Sequence, residues 1–165
     1  MRKFTKFTAF LAAILVLGAS GIAMASDTAT QTVTYEVAAI NELSVSGATA
    51  TLTVNAAVAG SAPTLVSDAT TTYAITTNQA TRKITGAINT AMPTGVTLSV
   101  ALAAPTGGTS AGDIALTATA QDLVTGISTL NESGKTITYK LSATSLAGVV
   151  ASATKTVTLT ITAGI

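Results

Sequence analysis

The pattern that most restricts what this chain can fold into is threonine alternating with an apolar residue. It recurs as T-V-T-Y-E-V (32–37), T-L-T-V (51–54), V-T-L-S-V (96–100), T-I-T-Y-K-L (136–141) and T-V-T-L-T-I (156–161). In an extended chain successive side chains point to opposite faces, so each stretch has one apolar and one hydroxyl-bearing edge; a helix would scatter the same residues around its axis. Threonine accounts for 32 of the 140 residues from Ser26 onward, and its branched Cβ fits a pleated surface better than a helical one. The stretches share alternation and composition, without a true repeat.

Taken in order, the alternation predicts strands at Thr28–Val37, Ile40–Val45 and Thr49–Val54, with a tight turn at Ser46-Gly47-Ala48 between the last two. A small-residue loop over Asn55–Thr64 precedes a strand at Thr70–Thr77, a turn at Asn78-Gln79, and a weaker strand at Arg82–Ile88 broken by Gly86. Met92-Pro93-Thr94-Gly95 is a turn signal, since proline fixes φ and glycine admits a positive one. Strands follow at Gly95–Ala103, Ile114–Thr119, Lys135–Thr144 and Thr154–Thr162, with Pro105–Gly112 the most loop-like stretch. The i, i+3, i+4 spacing of Leu123, Val124 and Ile127 reads as a single helical turn, and Asn131-Glu132-Ser133-Gly134 as a hairpin connection. About eight to ten strands with turns at roughly regular spacing make an all-β domain, read here as an immunoglobulin-like Greek-key β-sandwich over residues 26–165.

The first 25 residues read as a signal peptide. Arg2, Lys3 and Lys6 precede an apolar run from Ala9 to Leu17, and Ala23-Met24-Ala25 has the small-x-small pattern of a cleavage site. The competing reading is a retained anchor, because Phe7 to Ala25 is uncharged and close to the ~20 residues that span a bilayer; Gly18, Ser20 and Gly21 weaken it. Removing the leader leaves five basic and seven acidic side chains, net −2. No basic patch remains, so nucleic acid and anionic lipid are not the expected partners, and no stable membrane insertion is expected after cleavage. Phe4, Phe7 and Phe10 all lie in the leader and there is no Trp, so the remaining aromatics are Tyr35, Tyr73 and Tyr139, each in an apolar row. The three are too few for the aromatic girdles of a transmembrane barrel, and their place in apolar rows favours core positions over sugar-stacking platforms.

Histidine and cysteine are both absent. That removes the usual zinc ligands, disulfide staples and every triad needing an imidazole base or a thiol nucleophile. Ser152-Ala153-Thr154-Lys155 matches S-x-x-K but lacks the accompanying S-D-N and K-T-G motifs. Gly107-Gly108-Thr109-Ser110-Ala111-Gly112 resembles a phosphate cradle without the following Gly-Lys-Ser/Thr. Asp68, Asp113, Asp122 and Glu132 fall in expected loops, where solvated turn acids are favoured over a calcium cluster. The sequence therefore points to a non-enzyme with no catalytic, cofactor-binding or metal residues.

With its leader, cysteine-free Thr/Ala/Val-rich body and alternating stretch at Thr28–Val37, the chain resembles secreted bacterial fimbrial-type and surface-fibre subunits with immunoglobulin-like folds. The resemblance implies an extracellular structural protein, a subunit of a surface fibre, pilus, surface layer or biofilm matrix that self-associates into a homopolymer. It also implies donor-strand exchange, in which Thr28–Val37 of one subunit completes a sheet of the next and Val33, Tyr35 and Val37 fill its pockets. The residues equally allow Thr28–Val37 to be an ordinary first strand of its own domain. A monomeric secreted adhesion or binding module using the loops at Asn55–Thr64 and Pro105–Gly112 is the alternative function.

Overall fold

A computed structural model describes residues 27–47 and 49–164; the expected signal peptide at residues 1–25 lies outside them. The chain divides after Glu36, and all regular structure among the described residues belongs to the second part. That part is all-β. Its strands are β1 (Asn41–Val45), β2 (Val66–Thr77), β3 (Arg82–Ile88), β4 (Val96–Leu102), β5 (Thr109–Ser110), β6 (Ile114–Ala115), β7 (Gln121–Ile127), β8 (Leu130–Ala143) and β9 (Val157–Ala163), with one short 3-10 turn at Ser145–Ala147.

Every pairing is antiparallel. One sheet has the order β1-β2-β8-β4-β6 and the other β5-β7-β3-β9. Their inner faces share a single apolar cluster, to which the first contributes Tyr73, Ile75, Val100, Leu102 and Ile137 and the second Ile84, Ile88, Leu123, Val124 and Ile127. This is the arrangement of a β-sandwich, and alternation along each strand produces it: in β4, Leu98, Val100 and Leu102 are buried while Thr97 is exposed and Ser99 and Ala101 are half-buried. Each fully buried large aliphatic contributes about 1.5–3 kcal/mol, so a core without Trp or Phe is built from many medium-sized side chains.

The turn at Pro93-Thr94-Gly95 forms as expected, closed by the Val96 N–H donating to the Pro93 carbonyl at 3.0 Å, with Gly95 at φ 79°. Other expectations change. Gly86 does not break β3, which runs unbroken from Arg82 to Ile88. A Cβ at Gly86 would stand 2.6 Å from Leu123 Cδ1 and 3.3 Å from Leu159 Cδ2, so the missing side chain admits the leucines of the neighbouring strands. The expected helical turn over Gln121–Ile127 is strand β7. Its register with β3 slips between Ile84↔Val124 and Thr85↔Asp122, a bulge that turns the adjacent Leu123 and Val124 both inward and imitates helical spacing. The hairpin expected at Asn131–Gly134 lies inside the 14-residue β8. Between Tyr73↔Lys135 and Ile75↔Glu132 that strand carries one extra residue, with Gly134 at φ 68°; the polar-plus-glycine signal marks a bulge instead of a chain reversal.

Two alternating stretches form no strand. Residues 28–40 and 49–56 lie outside every strand of the described residues, although Ala50 and Leu52 pack against the core. The last strand also starts later than its pattern, at Val157.

Candidate functional site

The three residues singled out at Thr28–Val37 are all on the surface. Val33 is 72% exposed, Tyr35 90% and Val37 79%. Tyr73 and Tyr139 occupy the interior as expected, at 1% and 9%; Tyr35 does not, because residues 28–40 lie outside every strand of the described residues. Just beyond this arm the chain is clamped. The Asn78 side chain accepts from the Ile40 N–H at 2.8 Å and donates to the Ala38 carbonyl at 2.7 Å, while its own N–H donates to the Ile40 carbonyl at 3.3 Å. Asn78 thus extends the β1–β2 ladder one step beyond Asn41↔Thr77. Sequence reading took it only as a turn former.

The second feature, which sequence reading missed, is a cleft of about 650 Å³ in the β-domain. Its apolar lining includes Leu52, Met92, Val96, Leu141 and Val150. Residues 52–57 form one stretch of its lining and residues 147, 148 and 150–153 another. Among the described residues, no main-chain hydrogen bond joins residues 50–55 or 149–155 to another main-chain group; the Thr51 N–H faces the Asp68 carboxylate instead. Both stretches therefore carry main-chain groups that remain free to form a ladder. Just before the 3-10 turn, the Thr144 N–H donates to the Gly95 carbonyl at 2.8 Å. A Cβ on Gly95 would lie 2.7 Å from the Ala147 backbone nitrogen.

The charges near these features are unevenly matched. Lys83 pairs with Asp122 at 2.9 Å, Lys135 with Glu132 at 2.6 Å and Lys140 with Asp113 at 2.5 Å. Lys155, on the cleft, donates to Thr90 Oγ1 at 2.6 Å and the Ala91 carbonyl at 2.9 Å, and has no carboxylate partner among the described residues. The S-x-x-K lysine thus bonds Thr90 and Ala91, not Ser152. Asp68 binds the Thr70 N–H and hydroxyl, which holds its carboxyl below the usual range. Glu132 is pulled down to about 2 by hydrogen bonds from Lys135 and from the Thr106 N–H. The four acids therefore serve four separate local contacts. Burial, reinforced by the nearby Glu132, raises the Tyr73 hydroxyl to about 12; it donates to the Ala103 carbonyl at 2.6 Å. In the glycine-rich loop, Gly107 and Gly112 take positive φ around a turn closed by Gly108 N–H to Pro105 O, and Thr109–Ser110 pair with β7.

No protein-family model matches the chain, and no curated protein matches it in sequence.

Proposed function

We propose that this chain is an extracellular structural protein, the subunit of a bacterial surface fibre, pilus, surface layer or biofilm matrix, in which Thr28–Val37 of one copy completes a sheet of another. The observation that carries the reading is the row Val33, Tyr35 and Val37, which has strand spacing yet stands 72–90% exposed outside every strand. Large apolar side chains on a strand-forming segment are a recognition element for strand addition, with main-chain hydrogen bonds for affinity and alternate side chains for register. The edge strand β9 (V-T-L-T-I-T-A) supports it further. It has no charge or proline along its length, the devices with which proteins ordinarily blunt sheet edges against pairing. An immunoglobulin-like Greek key is the topology proposed for the body, supported by the connections β2–β3, β3–β4 and β7–β8, which each pass from one sheet to the other.

A cleft of this volume lies within the range of small-ligand sites, and it favours the monomeric binding module as the second reading. Electron microscopy and sedimentation of the purified protein separate the two. Filaments or concentration-dependent oligomers, lost on deletion of residues 28–37 while the remainder stays folded, are expected. A stable monomer at high concentration overturns the fibre reading, and unfolding of the deleted protein would return the segment to its own domain.

A further inference from the structure

We propose that the cleft of the β-domain is the seat of a second copy's arm, with Glu36 of the incoming arm paired to Lys155; this rests on the fibre reading and specifies where its contact is made. Three observations converge on that occupant. The first is spacing. Val33, Tyr35 and Val37 span four residue steps, roughly 13 Å of extended chain, and on the cleft's lining Leu52 and Val54 are half-buried at the same two-residue spacing. The second is the main chain. Residues 52–55 and 150–155 offer backbone groups without main-chain partners among the described residues, so a strand laid along either stretch gains a ladder while its apolar row meets Leu52, Met92, Val96 and Leu141.

The third observation is charge. Residues 27–37 carry Asp27 and Glu36 and no basic side chain, whereas residues 38–164 hold five of each sign. Three lysines of the body are paired with carboxylates; among the described residues Arg82 and Lys155 are the cations that are not, and of these two Lys155 lines the cleft. Glu36 alternates with Tyr35 and Val37, so when those two point into the cleft it faces its rim. Opposite-charge complementarity of this kind fixes register and partner more than affinity. It also distinguishes the cleft from the edge of β9, which is uncharged.

The chain has no cysteine, so single thiols report the contact cleanly. Protein carrying Glu36→Cys is mixed with protein carrying Lys155→Cys under mild oxidation, and in parallel with protein carrying Thr160→Cys on β9; any disulfide between unlike positions then joins two chains. A 36–155 link, identified by mass spectrometry, is expected. A 36–160 link in its place overturns the cleft as the seat and leaves the fibre reading standing. No interchain link from position 36 to either partner also overturns the cleft as the seat; the fibre reading then falls only if sedimentation shows a stable monomer. Charge reversal adds a second readout: Lys155→Glu or Glu36→Lys alone raises the concentration for half-assembly about fivefold, the upper range for an exposed ion pair, and the double variant recovers it. If Lys155 serves only to hold Thr90 and Ala91, Glu36→Lys will not rescue Lys155→Glu, and the pairing is refuted.

Discussion

Replacing Val33, Tyr35 and Val37 together by serine tests whether the arm belongs to its own domain's core. Fully burying a large apolar side chain contributes about 1.5–3 kcal/mol, so three core residues would cost roughly 5–9 kcal/mol when replaced, enough to unfold a domain of ordinary stability. The exposures of 72%, 90% and 79% leave the three residues together shielding less than one side chain's worth of surface. The expected loss is therefore about 1 kcal/mol, an upper figure because unfolded chains also shield part of their surface. Urea denaturation of wild type and variant, followed by far-ultraviolet circular dichroism at a concentration below assembly, measures it directly. At high concentration the same variant should fail to form the oligomers that wild type forms. A loss of 4 kcal/mol or more in dilute protein, on the order of a core deletion, would refute the reasoning, because the row would then be buried within its own chain.

Other expectations concern the body. Gly95→Ala places a side chain at φ 79° and 2.7 Å from the Ala147 backbone nitrogen; it should cost about 2–4 kcal/mol by combining left-handed strain with a clash that backbone must absorb, and it should loosen the turn beside the cleft in hydrogen exchange. Tyr73→Phe removes the hydrogen bond to the Ala103 carbonyl and should lower stability by about 1 kcal/mol at neutral pH. Because the folded Tyr73 titrates near 12 against an ordinary 10.0, its neutral form stabilises the fold below pH 10 and that contribution is lost as pH rises toward 12; the variant's stability should fall less steeply across this window in alkaline denaturation. Glu132 has the opposite sign. Its carboxylate titrates near 2 against 4.5, so its contribution is present above 4.5 and disappears as pH falls toward 2, and Glu132→Gln should flatten acid unfolding over that interval.

The sequence was legible wherever side-chain alternation and local turn chemistry decide the outcome. Leu98, Val100, Leu102, Ile137 and Tyr139 are buried where period two places them, and Pro93-Thr94-Gly95 turns where proline and glycine say it should. It misled where bulges intervene. Leu123 beside Val124, and Ser133-Gly134 inside β8, break the period, because each strand carries one residue more than the partner segment opposite it; that partner lies far away in sequence. Gly86 likewise reads as a break until Leu123 and Leu159 are seen in the space above it. The cleft left no local signal. Its lining comes from four stretches separated in sequence, at residues 52–57, 63, 92–96 and 141–155, and that Lys155 has no carboxylate partner among the described residues emerges only after the other lysines find theirs. Asn78 could have been found as a residue able to mimic a strand end, since its amide both donates and accepts.

By itself the sequence determined that extended chain would dominate, which residues of each strand would face an interior, and that no imidazole or thiol chemistry is available. These follow from side-chain period and inventory, which are local. Tertiary structure alone decided which of the alternating stretches became strands. T-V-T-Y-E-V, T-L-T-V and T-V-T-L-T-I share one pattern, yet Ile161 finds Ile84 opposite it in a ladder, while Val33 and Leu52 lie outside every strand. Alternation fits a segment for pairing, but the hydrogen-bonding partner must come from elsewhere in the chain or from another molecule.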